Sequence, residues 1–83
     1  MISIAKYHGF TLDVRRDATE NEAKGRGWLA KVFDRNGTSV ENEHNVPWVS
    51  QHAARMNALA VARLEIGKLE NPKPTDSPIW KHS

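Results

Sequence analysis

Two short segments of strictly alternating character, a tight turn and then an alanine-rich run at helical spacing: this order constrains the chain more than anything else in it. In the first segment, residues 7–16, Phe10, Leu12 and Val14 fall on one side, and Thr11, Asp13 and Arg15 on the other. A period of two marks a half-buried strand. Gly9 at its start could allow a bend or a bulge. In the second segment, residues 27–34, Trp28, Ala30 and Val32 alternate with Leu29, Lys31 and Phe33. Both of its faces are partly apolar, as expected of a central strand.

The polar stretch 17–25 between them has no β-branched core and reads as a long hairpin loop. A loop of that length cannot fix the strand register, so the hydrophobic pattern must do it. After the second strand, Asp34-Arg35-Asn36-Gly37 contains the strongest hairpin signal in the chain, because Asn-Gly accepts positive φ at little cost. A third strand is expected near Thr38–Glu43. It is weakly apolar, with only Val40, so it should be an edge, and Glu41 and Glu43 would keep other strands from adding to it.

Pro47 biases Val46 away from helix, and Ser50 is a plausible N-cap for a helix reaching about Glu70. Ala54, Ala58, Ala62, Ile66 and Leu69 form one stripe, with Leu59 beside it. Short side chains let a helix approach a sheet closely and leave volume for Phe10 and Trp28. Met56, Ala60, Val61 and Leu64 lie off that stripe and need another partner. Met56, Ala60 and Leu64 are candidates for a homodimer surface; the alternative is cover from Trp48 or Trp80 of the same chain. Residues 71–83 carry three prolines and no periodicity and read as an extended, mobile tail, with Trp80 the residue able to dock it. The expected architecture is α+β: a three-stranded antiparallel sheet packed on one C-terminal helix (βββα), a single domain over residues 1–70 and a tail over 71–83.

At 83 residues, 39% apolar and 27% charged, the chain is one small globular domain. It has no cysteine, so disulfides and thiolate metal sites are excluded. The opening residues are too short for a signal peptide and no run is long enough to span a membrane, so a cytoplasmic protein is expected. Net charge is +2; up to Arg35 there are seven Lys/Arg and five Asp/Glu, and beyond it five of each. The basic excess is mild and N-terminal, weaker than in a dedicated nucleic-acid binder.

No constellation of residues specifies catalysis. None of the four histidines, His8, His44, His52 and His82, pairs at helical spacing, and a zinc site would need them to converge with a carboxylate such as Glu43. Ser50 and His52 are close in sequence, but Ser50 is better used as the helix cap. Glu20 and Glu22 sit in the long loop, where acid–base geometry cannot be held. Gly25 and Gly27 flank Arg26 but lead into a strand, so no phosphate-binding helix start follows them. No cofactor is expected. Lys6, Arg15, Arg16, Lys24, Arg26, Lys31 and Arg35 remain as candidates for binding. Arg15 and Lys31 with Phe33 between them could meet a partner protein, or grip a phosphate backbone and stack on bases. The interleaved Asp13, Asp17, Glu20, Glu22 and Asp34 equally suit an ordinary solvated face. The binding surface expected is therefore Arg15, Arg16, Arg26, Lys31, Phe33 and Arg35, in a non-enzymatic interaction module or, alternatively, a weak nucleic-acid-binding domain.

Tyr7-His8-Gly9-Phe10-Thr11-Leu12-Asp13-Val14, Gly27 to Val32, the Asp34–Gly37 turn and a helix opening at Ser50 with Ala54 and Ala58 resemble a family of small proteobacterial βββα proteins without assigned activity. The likeness spans about residues 7–70 and implies a fold and no mechanism. More remotely, the Tyr-x-Gly strand is similar to that of HicB-type antitoxins, which carry a Pro-Gly-Cys-type segment where this chain has Phe33 to Gly37. Double-stranded-RNA-binding domains share the order of three strands and an Ala-rich helix. Their paired lysines at the helix start are replaced here by Gln51-His52-Ala53-Ala54-Arg55, and their N-terminal helix has no counterpart. Neither function carries over.

Overall fold

The strand that begins the chain carries an inverted pattern. In the computed structural model, which describes residues 2–16, 27–40, 48–71, 73 and 76–82, β1 (Ile2–Tyr7) buries Ser3, Ala5 and Tyr7 and turns Ile2, Ile4 and Lys6 the other way. It pairs antiparallel with β2 (Phe10–Arg16) in the register Ser3–Val14, Ala5–Leu12 and Tyr7–Phe10. The reading of residues 7–16 as one strand is corrected: Tyr7 ends β1, and His8-Gly9 forms a two-residue turn. Both turn residues have positive φ, 50° at His8 and 85° at Gly9, the combination that matches the twist of a hairpin. Glycine is required at the second position for a further reason, because a Cβ on Gly9 would lie 3.0 Å from Arg35 Cγ.

β3 (Trp28–Phe33) pairs with the other side of β2, placing Trp28, Ala30 and Val32 on the buried face as expected. The loop 17–25 lies outside the described residues. The Asp34–Gly37 turn forms as expected: Asp34 Oδ1 accepts from the amides of Asn36 and Thr38, and Gly37 has φ 81°. No third long strand follows over the described part of Thr38–Glu43. Ser39 makes an isolated bridge to Phe33 and the Val40 amide bonds to Val32 O; Glu41 and Glu43 lie outside the described residues. The three-stranded antiparallel sheet of the βββα layout is thus β1, β2 and β3, with β2 in the centre.

α1 (Gln51–Gly67) begins at Ser50, whose Oγ accepts from the Ala53 amide at 3.1 Å. It ends one turn before the expected Glu70: the amides of Leu69 and Glu70 both turn back to Ile66 O. Ala54, Ala58 and Ala62 are fully buried with Leu59 and Ile66. They bring the helix onto Phe10, Leu12, Val14, Ala30 and Val32, the alanine-to-sheet packing the sequence implies. Leu12 and Ile66 are fully enclosed; side chains of that size contribute about 1.5–3 kcal/mol each when buried. Two assignments on the helix change. Leu69 is outside the helix and 65% exposed, and Val61 belongs to the core rather than to the outer group. Met56, Ala60 and Leu64 do remain exposed, and neither Trp48 nor Trp80 covers them: both tryptophans pack against the core.

The far end of the 71–83 tail is held, not free. β4 (Lys81–His82) adds to the outer edge of β1 through Ser3–His82 and Ile4–Lys81, giving the order β3-β2-β1-β4. Trp80 is the residue that docks it, lying beneath Arg55 with the guanidinium 4.9 Å from the ring centroid.

Candidate functional site

Strand pairing gathers an alternating pattern of charge and apolar surface on the sheet face away from α1. Side chains directly opposite in a ladder share a face. One row runs Lys81, Ile4, Asp13, Lys31; the next brings Lys6, Thr11 and Phe33 together; the third holds Ile2, Arg15 and Leu29. Four basic side chains, Lys6, Arg15, Lys31 and Lys81, meet one acid, Asp13. The whole chain carries only +2, so its positive excess is concentrated on this face. Leu29 and Phe33 are half-buried, and Ile4 is 39% exposed.

Asp13 is 8% exposed although it lies on the face away from α1. Arg15, two residues along the same strand, donates from Nε to Oδ1 at 3.1 Å and from Nη2 to Oδ2 at 2.7 Å. This fork-on-carboxylate geometry is the strong form of an ion pair. The hydrogen bonds that Arg15 donates to Asp13, and then the charge of Asp13, raise the Arg15 pKa above its ordinary value, against a small opposing effect of burial. The guanidinium therefore stays charged throughout the range in which proteins fold. Lys6 donates to Thr11 Oγ1 in the neighbouring row.

The six binding candidates do not converge. Arg15, Lys31 and Phe33 share the outer face, although Leu29, not Phe33, is directly opposite Arg15. Arg16 belongs to the opposite face, 5.9 Å from the centroid of the Trp28 ring. Arg35 is a brace at the hairpin end. Its Nε donates to His8 O at 2.8 Å, its Nη2 to Glu70, and it lies over Phe10. Arg26 lies outside the described residues, as does Lys24.

The hairpin end collects further polar side chains that the sequence reading did not join. His8 Nε2 is 3.0 Å from Asp76 Oδ2, and Nδ1 is 3.7 Å from Glu70 Oε1. An ionised carboxylate only accepts, so Nε2 is the donor. Arg63 donates to Asp76 O at 3.1 Å and lies over the Tyr7 ring. Arg55, two helical turns earlier, donates to the buried Ser3 Oγ at 2.6 Å. Residues 55 and 63 are eight apart, which places both on one helix face. That spacing was the signal for them. Among the described residues no group of three or more His, Asp or Glu side chains is placed to hold a metal ion.

A groove of about 500 Å³ opens beside the outer face, between β1 and the tail, lined by Ile4, Ala5, Lys6, Ser77, Ile79 and Lys81. No helix among the described residues is long and apolar enough to cross a membrane. Comparison with family models, with curated proteins and with solved structures finds no match.

Proposed function

We propose that this protein is a non-enzymatic interaction module whose outer sheet face docks on an acidic, partly apolar surface of a partner protein. One observation carries the reading: β1 turns its isoleucines outward and its serine inward, among four basic side chains and a single acid. Exposing Ile4 and half-exposing Leu29 and Phe33 costs burial that a free-standing domain this small would use. A partner that covers the apolar rows and pairs with Lys31 and Lys6 recovers it. A cytoplasmic setting suits a chain without cysteine.

Arg15, Lys31 and Phe33 on one face also support weak nucleic-acid binding. Two features favour the protein partner: Arg15 already has its guanidinium on the Asp13 carboxylate, which offsets its charge toward a phosphate, and Phe33 is the one aromatic in the paired rows. Base stacking on a sheet needs aromatic platforms. We read the exposed stripe Met56, Ala60 and Leu64 as a second surface, suited to another copy of the chain.

The test is a titration of the full chain with an alternating Glu-Leu peptide and, separately, with a single-stranded oligonucleotide, followed by amide NMR shifts. Saturable shifts at Leu29, Lys31 and Phe33 with the peptide, lost in Lys31→Glu, are expected. Peptide binding unaffected by Lys31→Glu overturns the reading. Oligonucleotide binding in preference, falling steeply with salt, replaces it by the nucleic-acid one.

A further inference from the structure

The tail meets β1 at two places and stands away from it between them. At one end Lys81 pairs with Ile4 in the ladder. At the other, Asp76 reaches His8 through its side chain at 3.0 Å, and Arg63 fixes the Asp76 carbonyl. Between these contacts the tail makes no ladder with β1, and Pro78, in this unpaired bow, has no N–H to give to one.

The groove under this bow has a composition of its own. Ile4 and Ile79 supply apolar surface, and Ile79 is 81% exposed. Lys6, whose ammonium donates to Thr11 Oγ1, and Lys81 give it positive charge, and no acid is among its described lining residues. Its volume falls in the range of small-molecule sites. Lysines act as point charges without the planar fork that selects for bidentate partners.

We propose that this groove is a binding site for a small amphipathic carboxylate of medium chain length, with the chain against Ile4 and Ile79 and the carboxylate between Lys6 and Lys81. The site shares Ile4, Lys6 and Lys81 with the outer-face rows but not Leu29, Lys31 or Phe33, so it does not rest on the docking reading.

The probe is octanoate, titrated into the full chain and followed by amide shifts, with octanol and octylammonium as controls. Saturable shifts confined to Ile4, Lys6, Ile79 and Lys81 are expected, with much weaker response to either control. Lys81→Glu, a change to an exposed side chain whose strand contacts are through backbone, should weaken octanoate binding about tenfold, equivalent to about 1.4 kcal/mol. Lys6→Glu should do the same and serves should the first variant fold poorly. Lys31→Glu, on the third strand, should leave octanoate affinity within about twofold while abolishing peptide docking. The proposal is overturned by shifts spread across the sheet face, by equal binding of octanol, by equal loss in Lys31→Glu, or by no saturable response.

Discussion

The two faces of the sheet follow opposite rules. On the inner face, Phe10, Leu12, Val14, Ala30 and Val32 are sealed under the alanines of α1. On the outer face the sheet shows Ile4, Leu29 and Phe33 to varying degrees among Lys6, Arg15, Lys31 and Lys81. The inner face is optimised for contact: small residues on the helix, larger ones on the sheet, and the buried Ser3 hydroxyl bonded by Arg55. The outer face keeps apolar surface where nothing from the described chain covers it and holds its one acid, Asp13, under a guanidinium. One face is finished by the chain itself; the other is finished, in our reading, by a partner.

Substitutions can break this contrast, and the largest effect belongs to the sealed side. Leu12→Ala, at a fully enclosed position, should cost about 2–5 kcal/mol, read as a lower urea midpoint. An outer-face truncation such as Leu29→Ala should cost clearly less; equal losses would erase the distinction between the faces. Ala58→Leu tests the close approach of the helix. With no free volume at Ala58, overpacking should destabilise by about 1–3 kcal/mol, and a neutral result would mean the helix does not rest on its alanines. Ser50→Ala removes the cap of the helix that forms the lid and should lower stability by about 1 kcal/mol in the same denaturation experiment. The smallest stability effect sharpens the comparison most: Lys31→Glu should stay within about 0.5 kcal/mol of the parent while losing peptide binding. A large stability loss there would mark the outer face as structural.

Much of the inner face was legible. The alternation in Phe10–Val14 and Trp28–Phe33, the Asn36-Gly37 turn, the Ser50 cap and the alanine stripe each carry a local signal, and each appears where that signal places it. β1 was not legible, for a physical reason. Its isoleucines, Ile2 and Ile4, alternate, but the buried side is that of Ser3, Ala5 and Tyr7, with Ser3 bonded by Arg55 from 52 residues away. Its turn, His8-Gly9, lacks the usual Asn or Asp. Of the strand expected at Thr38–Glu43, Ser39 bridges to Phe33 and the Val40 amide bonds to Val32 O, and residues 41–43 lie outside the described residues. Of the candidate binding residues, the sequence placed Arg15, Lys31 and Phe33 correctly on one face. The same alternation already puts Arg16 on the side of Phe10, Leu12 and Val14; what it could not show is that Arg35 is engaged by His8 and Glu70, contacts 27 and 35 residues apart in the chain.

The sequence alone determined what depends on neighbours along the chain: strand period, turn chemistry, helix cap and the short side chains that let helix and sheet approach. The tertiary structure alone decided which face of β1 is buried, where the tail returns, and which charges become partners. Those outcomes depend on side chains that meet only after folding, and no local periodicity encodes the distance between Ser3 and Arg55 or between His8 and Asp76.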